Sequence, residues 1–546
     1  MLENVIKIKT LSSMEKVFPR TEPTAVETSR SMLQNEKLNF QIALYNDAYD
    51  TMKRNSIEIQ GGLAPFVSVR TVEYVPGTYF PLVEDEYYIK HELTIYPDVL
   101  KPLGSLGLVL PRFQWKSVWI SVYNEQGLPT GSYPLTFTVK NEAGEVVAET
   151  SYTVEVVKGF LEPCDIKLTN WMHYDSIAHK HNVKPFSNGY YKVFEKYLDA
   201  YVGIGFNTLL TPLFTPPLDT AVGHERLTAQ LIDIKKDGGR YAFNFAKLKK
   251  FLRFAFKHGV RYIEFSHLFT QWGGEFCPKI MATVDGVEQR IFGWDTSATS
   301  VEYKEFLSAF LPALVQVIDE MGIREKCLFH LTDEPQEKHL ENYAKCRQLV
   351  KSHIGDLPIM DAMSHYAFYE QGLVDIPVAI TPTYQDFADH NVENLFVYYC
   401  CGPAGDSYSN RFFNMPSQRT RILGIQLYQS GVKGFLHWGY NFYNSAYSLC
   451  EVDPYAVTDA GGMFPSGDSY IVYPTKDGVD LSLRAESTRE GFQDYQALRL
   501  LEKKIGKDKT KALVAEFGVD KFNVYPKSLE AHTSFREKIN MLIKNS

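Results

Sequence analysis

Two adjacent carboxylates in the middle of the chain are the residues most able to carry out chemistry. They are Asp333 and Glu334 in the segment CLFHLTDEP, where the following proline ends a predicted strand. Adjacent residues of a regular strand face opposite sides, so both can enter one pocket only if the strand end is bent or bulged. Such a bend would serve a reaction that needs two carboxyl groups side by side. The alternative is that one of them caps the next predicted helix, residues 336–353.

Aromatic and polar side chains recur where other predicted strands end. The candidate substrate-binding residues are Trp171, His267, Trp272, Trp294, Asp361, Tyr384, Tyr399, His437, Trp438 and Asn441. They include four of the six tryptophans of the chain. An aromatic ring exposed at the mouth of a site can stack on the apolar face of a pyranose, although any one of these rings could instead be a core residue under a loop. The group as a whole favours a carbohydrate site.

The hydrophobic pattern indicates how these residues are positioned. Residues 1–160 consist of short alternating runs between turn residues, which predicts a β-sandwich with immunoglobulin-like connections. Residues 161–505 alternate eight candidate strands with amphipathic helices, which predicts a (β/α)8 TIM-like barrel. Residues 506–546 are expected to form a helical C-terminal extension. The fold class is therefore α/β plus β, and a barrel of this type carries its active site at the carboxyl ends of its strands.

Charge and composition argue against several classes of function. The chain has 57 Lys and Arg against 65 Asp and Glu, a net charge of -8, so neither a nucleic acid nor an anionic membrane has a basic surface to bind. The N-terminus lacks the pattern of a secretory signal, and the seven cysteines include no CxxC pair. We therefore expect a cytoplasmic protein with free thiols. Nothing in the sequence bears on its oligomeric state.

A metal site is the main competing chemistry. Zinc prefers residue types found at the predicted barrel mouth: His267, His330, Asp333, Asp361, His365 and His437. An amidohydrolase-type barrel, however, needs a terminal His on the fifth and sixth strands and an Asp on the eighth, and these are missing. We expect no metal and no other cofactor, and metal-dependent deacetylation of an amino sugar stays open as an alternative.

Three segments resemble a known family: HLTDEP at 330–335, GFLHWGYNFY at 434–443 and RAESTREGFQDYQALRLLE at 484–502. They look like the hallmark segments of glycoside hydrolase family 123 and of the related domain of unknown function 4091. The resemblance implies a β-sandwich before a (β/α)8 barrel, β-N-acetylgalactosaminidase activity, and Asp333 and Glu334 as the catalytic pair. The segment REGFQDYQ reads as the last barrel helix, with a structural role.

Adjacent carboxyl groups also predict a mechanism. The acid and the nucleophile of most glycosidases flank the scissile bond about 5 Å or more apart, and neighbouring residues are too close for that. The 2-acetamido group of the substrate would then attack the anomeric carbon. Asp333 would stay ionised and accept a hydrogen bond from the acetamido N–H, and Glu334 would act as general acid and then as general base.

The predicted partner is a short oligosaccharide or glycoside with a terminal β-linked N-acetylhexosamine, cleaved from its end with retention. A carbohydrate-binding protein without catalytic activity is the second alternative.

Overall fold

A computed structural model of the chain describes residues 6–81, 83, 85–90 and 92–546. The predicted domain 1–160 therefore begins outside the described residues. Its strands are β1 (Ile6–Ser12), β2 (Ser29–Leu33), β3 (Leu38–Asn46), β4 (Met52–Gln60), β5 (Val67–Gly77), β6 (Thr94–Pro102), β7 (Leu108–Leu110), β8 (Trp115–Val122), β9 (Gly131–Lys140) and β10 (Val146–Val157).

Two sheets share one hydrophobic core in this N-terminal region. One contains β1, β3, β8, β5 and β6 in that order, and the other contains β2, β10, β9, β4 and β7. Phe40 of the first sheet stacks on Tyr152 of the second, with ring centroids 3.8 Å apart. Alternating residues of both sheets, such as Ile120 and Phe137, complete the core. A sheet-rich N-terminal region is thus confirmed, whereas its immunoglobulin-like connectivity stays a prediction.

The rest of the chain contains both strands and helices. The strands are β11 (Lys167–Asn170), β12 (Thr208–Thr211), β13 (Asp233–Asp237), β14 (Arg240–Asn244), β15 (Tyr262–Phe265), β16 (Ile280–Val284), β17 (Val287–Phe292), β18 (Cys327–Phe329), β19 (Met360–Met363), β20 (Ile376–Ile380), β21 (Phe396–Tyr398), β22 (Gly434–His437), β23 (Val472–Pro474) and β24 (Val479–Ser482). The helices are α1 (Tyr174–Lys180), α2 (Asn188–Ile204), α3 (Ala246–Lys257), α4 (Val301–Glu320), α5 (Leu340–Ile354), α6 (Ala367–Glu370), α7 (Tyr384–Ala388), α8 (Ser417–Arg421), α9 (Leu423–Ser430), α10 (Leu483–Ile505), α11 (Lys507–Phe517) and α12 (Leu529–Asn545).

Eight parallel strands form a nearly closed barrel. Their order is β18, β15, β12, β11, β22, β21, β20 and β19. The first and last strands of this order, β18 and β19, meet through a single β-bridge between Phe329 and Ile359. Each of the eight predicted strands corresponds to one of these barrel strands, most of which contain only three or four residues. Apolar side chains such as Leu210, Met360 and Leu436 fill the barrel interior. The mixed α/β architecture and the helices α11 and α12 after the barrel agree with the sequence-based expectation.

Two further features concern the segments between barrel strands. The segment after β12 forms a hairpin, β13 and β14, which pairs with a second hairpin, β16 and β17, in a four-stranded sheet. The long segment after β22 returns to the N-terminal region, because β24 pairs with β6 at Leu481 and Leu100. Strands from beyond residue 160 therefore extend the N-terminal sheet. The domain division at residue 160 stays a prediction.

The segment REGFQDYQ lies in α10, the last barrel helix, as expected. Its charged side chains are buried and paired: Asp494 binds Arg421 through two oxygens at 2.7 and 2.8 Å. About two turns earlier, Glu486 accepts a 2.6 Å hydrogen bond from Arg70 of the N-terminal sheet. The helix is thus joined to the sheet as well as to the barrel. Among the described helices, none is long and apolar enough to cross a membrane.

Candidate active site

The chain bends sharply just beyond β18, where the two adjacent carboxylates lie. Glu334 has a φ of 44°, a left-handed conformation that a non-glycine residue seldom adopts. Its backbone N–H donates to the carbonyl of Ala362 at 3.1 Å, and the carbonyl of Asp333 accepts from Trp272 N–H at 2.7 Å. The bend that both side chains would need in order to enter one pocket is therefore present. Both side chains are half-buried.

The helix-cap alternative is wrong. A short 3-10 helix, Glu337–His339, follows the pair and is capped by Gln336, whose backbone N–H also bonds to the ring of His339. Helix α5 begins only after that, with His339 at its N-cap position. Neither Asp333 nor Glu334 caps a helix, so their carboxyl groups are free for other contacts.

Asp361 holds the strand end in place. The barrel ladder between β18 and β19 is limited to one bridge, and beyond it the Asp361 carboxylate accepts hydrogen bonds from the backbone N–H groups of Leu331 and Thr332 at 3.0 and 3.4 Å. The hydroxyl of Tyr343 donates to the same carboxylate at 2.6 Å. These bonds replace the missing ladder just before the bend. Asp361 is fully buried, so its observed contacts are with protein, and contact with substrate stays a prediction.

Tyr398 contacts the carboxylate pair and was not among the candidate residues predicted from the sequence. Its hydroxyl donates a 2.6 Å hydrogen bond to Glu334 Oε1. The candidate residue is its neighbour Tyr399, whose ring packs instead against Phe435 and His437. Successive residues of a strand point to opposite sides, and Tyr398 belongs to the side that fills the barrel. The parity of the apolar residues along β21 was the signal that could have identified it.

The surroundings of Asp333 favour its protonated form. Burial raises the pKa of Asp333 well above its ordinary value, the neighbouring charge of Glu334 raises it further, and His330 partly opposes the shift. In the free protein Asp333 therefore binds a proton more tightly than an ordinary carboxyl group. Its ionisation during the reaction stays a prediction.

A buried charged cluster lies beneath the pair. Although burial lowers the pKa of His330, hydrogen bonds with Asp361 and Glu264 at 3.2 and 3.3 Å raise it to about 9. Trp171 donates its indole N–H to Glu264 Oε2 at 3.0 Å. Two predicted residues, Trp171 and Asp361, therefore meet in this cluster. Their polar atoms contact other side chains of the protein.

His267, His330 and Asp361 are the described residues that could hold a metal ion. Their potential ligand atoms all lie within 4.8 Å of one another, and all three residues are buried. The ring of His267 stacks on that of His330 at 4.5 Å, and neither of its nitrogens has a hydrogen-bond partner among the described residues. His330, by contrast, lies between two carboxylates that favour its protonated form, and a protonated imidazole cannot bind a metal. The expectation of no metal stays a prediction.

Three predicted residues lie at or beyond the end of β22. Trp438 contacts the barrel-filling cluster and donates its indole N–H to Asp468 at 2.9 Å. His437 Nε2 lies 3.3 Å from the other oxygen of Asp468. Burial raises the pKa of Asp468 to about 7. Asn441 makes two bonds with the backbone of His173 and so joins this loop to the end of the first barrel strand.

The structure leaves two predicted residues apart from the pair. Tyr384 lies on α7, packs against Phe522 of the C-terminal extension and donates to the carbonyl of Ser430. Trp294 is buried in the segment between β17 and α4, beside Phe276.

An open cavity of about 540 Å³ lies beside Glu334. Neither Tyr384 nor Trp294 lines it. The lining residues of this cavity are Trp272, Glu334, Pro335, Gln336, Glu337, Lys338, Ser364, His365, Ile380 and Tyr398.

Comparison with solved structures identifies the fold. A family 123 glycoside hydrolase from Clostridium perfringens, studied for glycolipid glycan hydrolysis, superimposes with a TM-score of 0.73 at 14% identity, covering 99% of this chain and 97% of that one. A GH10 xylanase with an Ig-like domain from termite gut has a TM-score of 0.34 at 10% identity, covering 86% of this chain and 100% of that one. A GH2 β-galacturonidase from Eisenbergiella tayi has a TM-score of 0.32 at 11% identity, covering 84% and 69%. The last two share too little of the fold to support an inference.

Comparison at the level of sequence gives the family. Among curated proteins, no sequence matches this chain. The profile described as "Glycoside hydrolase 123, catalytic domain" matches residues 171–501, more than half of the chain. The match includes the bent strand end with its carboxylate pair, seven of the eight barrel strands (all except β11) and most of α10. The chain is therefore a glycosidase and belongs to glycoside hydrolase family 123.

Proposed function

We propose that this protein is a retaining, exo-acting β-N-acetylhexosaminidase, with β-N-acetylgalactosaminides as its preferred substrates. The observation that carries the proposal is the pair of adjacent carboxyl groups at the bent end of β18, where Glu334 has a φ of 44° and lines an open cavity. Such a pair suits a reaction in which the substrate supplies the nucleophile. The Clostridium perfringens enzyme has a similar fold, belongs to the same family and was studied for glycolipid glycan hydrolysis. This similarity supports a glycan substrate.

The chemistry follows from the separation of the two carboxyl groups. An opposed acid and nucleophile would have to lie about 5 Å or more apart across the scissile bond, whereas Asp333 and Glu334 are neighbours. The oxygen of the 2-acetamido group attacks the anomeric carbon as Glu334 gives its proton to the leaving oxygen. Asp333 accepts a hydrogen bond from the acetamido N–H and stabilises the positive charge of the oxazolinium. Water then opens this intermediate, with Glu334 as general base, and the configuration is retained.

Substrate binding must change the protonation of the pair. In the free protein, burial and the charge of Glu334 raise the pKa of Asp333. An acetamido N–H is a donor and stabilises the ionised form of the carboxyl group that it faces. Binding therefore favours ionised Asp333, the form that the proposed mechanism needs. The hydroxyl of Tyr398, 2.6 Å from Glu334 Oε1, orients that carboxyl group.

Aromatic side chains around the pair supply the walls of the site. Trp438 contacts the barrel-filling cluster, and its indole N–H is fixed by Asp468. We assign its ring to the apolar face of the N-acetylhexosamine. His267, stacked on His330, forms the floor. The remaining candidates, including His437, Asn441 and Tyr399, would act by shaping the segments that carry these rings.

A panel of substrates tests the proposal. We expect hydrolysis of p-nitrophenyl β-GalNAc, weaker hydrolysis of the β-GlcNAc analogue and none of the β-Gal analogue, which lacks the acetamido group. Proton NMR should show the β-anomer as first product, and a labelled tetrasaccharide should release only its terminal sugar. Hydrolysis of the β-Gal analogue at a similar rate, or an α-anomeric first product, would contradict substrate assistance.

Metal-dependent deacetylation of an amino sugar is a second candidate, favoured only by the buried cluster of His267, His330 and Asp361. It predicts release of acetate and loss of activity in EDTA. The proposed glycosidase should release sugar, produce no acetate and be insensitive to EDTA. Binding of oligosaccharides without turnover would instead favour the third possibility, a carbohydrate-binding protein. A cytoplasmic location, with short imported oligosaccharides as substrates, is part of the same proposal.

A further inference from the structure

Trp272 is exposed beside the catalytic pair in a conformation that a bulky residue seldom adopts. Its side chain is 39% exposed, and its φ is 60°. A left-handed backbone is energetically unfavourable for such a residue and persists only where the surrounding structure holds it. An exposed indole gains little from packing in the free protein. The geometry and the exposure together suggest that the ring is held in place for a ligand.

The backbone of this loop is fixed to the catalytic strand end. Trp272 N–H donates to the carbonyl of Asp333 at 2.7 Å. Gly273 and Gly274 follow with φ values of 111° and 68°, and Asn342 donates to the carbonyls of both at 2.9 Å. A side chain at Gly273 would collide with the ring of His339. The position of Trp272 relative to the pair is therefore set by several independent contacts.

A second loop supports the ring from the side. Tyr447 lies edge-on to Trp272 with centroids 6.0 Å apart, and it is itself 40% exposed with a φ of 60°. Its backbone N–H donates to Asp219 Oδ2 at 2.9 Å. Gln271, the neighbour of Trp272, accepts from the N–H of Asp219 at 2.6 Å. Hydrogen bonds thus join the loop after β12 to the loops after β15 and β22, which carry the two exposed aromatic rings.

The remaining walls indicate the chemistry of the ligand. Trp272 and Glu334 line the same open cavity of about 540 Å³. Polar side chains line it as well, including Gln336, Lys338 and His365. One flat apolar wall together with hydrogen-bonding groups matches a pyranose, which has an apolar face and a rim of hydroxyl groups.

We propose that Trp272 forms the stacking surface of a leaving-group subsite, which binds the pyranose on the reducing-end side of the scissile bond. The proposal rests on the proposed function, in which Glu334 is the general acid and faces the leaving oxygen. The cavity that Glu334 lines is then the space into which the leaving sugar extends. Tyr447 supports the ring, and the preferred substrate is an N-acetylhexosamine linked to another hexose.

Steady-state kinetics on two substrates test this subsite. One is a β-GalNAc-hexose disaccharide, and the other is methyl β-GalNAc, whose leaving group is too small to reach the ring. Trp272→Ala should lower kcat/KM for the disaccharide about tenfold, the effect expected for one aromatic stacking contact. For the methyl glycoside kcat/KM should change less than about twofold, and Trp272→Phe should retain most of the activity on both. The control is Tyr49→Ala, which removes an aromatic ring that is 76% exposed in the N-terminal region.

A binding measurement separates stacking from a structural effect. In a Glu334→Gln background, calorimetry should show tighter binding of the disaccharide than of the methyl glycoside, and Trp272→Ala should abolish that difference. Equal loss on both substrates, or an unchanged affinity difference, would overturn the subsite. Failure of the unmodified protein to cleave either substrate would instead overturn the proposed function, and the subsite with it.

Discussion

The hydroxyl of Tyr398 donates a 2.6 Å hydrogen bond to Oε1 of Glu334, joining the end of β21 to the bent end of β18. The two strands are separated by β19 and β20 around the barrel, so the bond crosses the barrel mouth. Burial and the charge of Glu334 raise the pKa of Tyr398 well above its ordinary value, so the phenol remains a donor. Glu334 therefore has one oxygen held by protein, and we expect the other to face the glycosidic oxygen.

Tyr398→Phe should lower kcat about tenfold or more, because a hydrogen bond to a charged group contributes about 1.5 to 3 kcal/mol. KM should change little, since the hydroxyl contacts Glu334 and not the sugar. The matched control is Tyr428→Phe, which removes a 2.8 Å bond to Glu502 between α9 and α10. Equal losses of activity in the two variants would show that the effect is structural.

Glu334→Gln should lower kcat/KM for a sugar leaving group by about 10²- to 10⁴-fold, the range of general acid catalysis. An activated p-nitrophenyl leaving group needs little protonation and should be affected much less. Parallel assays on the two substrates check the difference. Equal losses on both would contradict the role of Glu334 as acid.

Asp333→Asn keeps the shape of the side chain and removes the charge that balances the oxazolinium. Loss of one preorganised electrostatic partner costs about 3 to 4 kcal/mol in comparable sites, or roughly 10²- to 10³-fold in kcat. Azide should not rescue this variant through a β-azide product, because no glycosyl ester with the enzyme is formed. A covalent sugar adduct on either carboxylate in mass spectra would indicate a conventional retaining mechanism.

The pH dependence should reflect the raised pKa of Asp333. Because burial and the charge of Glu334 raise this pKa, Asp333 ionises at a higher pH than an ordinary carboxyl group. The proposed mechanism needs ionised Asp333, so kcat/KM should fall on the acidic side at a higher pH than an ordinary carboxyl group would cause. In Asp333→Asn, assayed with the activated substrate, this acidic limb should disappear. An acidic limb that persists in this variant would assign the titration to another group.

Asp361→Asn should destabilise the barrel where β18 and β19 separate. The amide has one acceptor oxygen, and its NH2 group must face donors: His330 and Leu331 N–H if it lies at Oδ1, or Thr332 N–H and the Tyr343 hydroxyl if it lies at Oδ2. At least one of these buried donors therefore loses its acceptor, at a cost of about 1 to 3 kcal/mol. Thermal unfolding should show a lower Tm, accompanied by lower activity. The control is Asp295→Asn, which breaks a 2.6 Å ion pair with Arg290 at the surface and should change stability by less than about 1 kcal/mol. Similar Tm values for the two variants would contradict a positioning role for Asp361.

Much of the architecture follows from local patterns in the sequence. The alternating runs before residue 160 and the strand-helix repeats after it predicted the sheets and the eight barrel strands, because period 2 and period 3.6 each bury one face of an element. The segment REGFQDYQ was correctly assigned to the last barrel helix. The adjacency of Asp333 and Glu334 is a property of the sequence itself, and it required the bend that the structure contains.

The choice of side chains at the site was decided by tertiary structure. Tyr398 rather than Tyr399 reaches Glu334. The parity of β21 can place Tyr398 on the inward side, but only the closed barrel brings it within reach of Glu334, 64 residues earlier in the chain. Asp361 bonds to backbone N–H groups because the ladder between β18 and β19 stops after one bridge, and no local pattern encodes that gap. The exposure of Trp272 likewise depends on loops after three different strands. Such contacts join residues far apart in the chain, so they arise only when the barrel has formed.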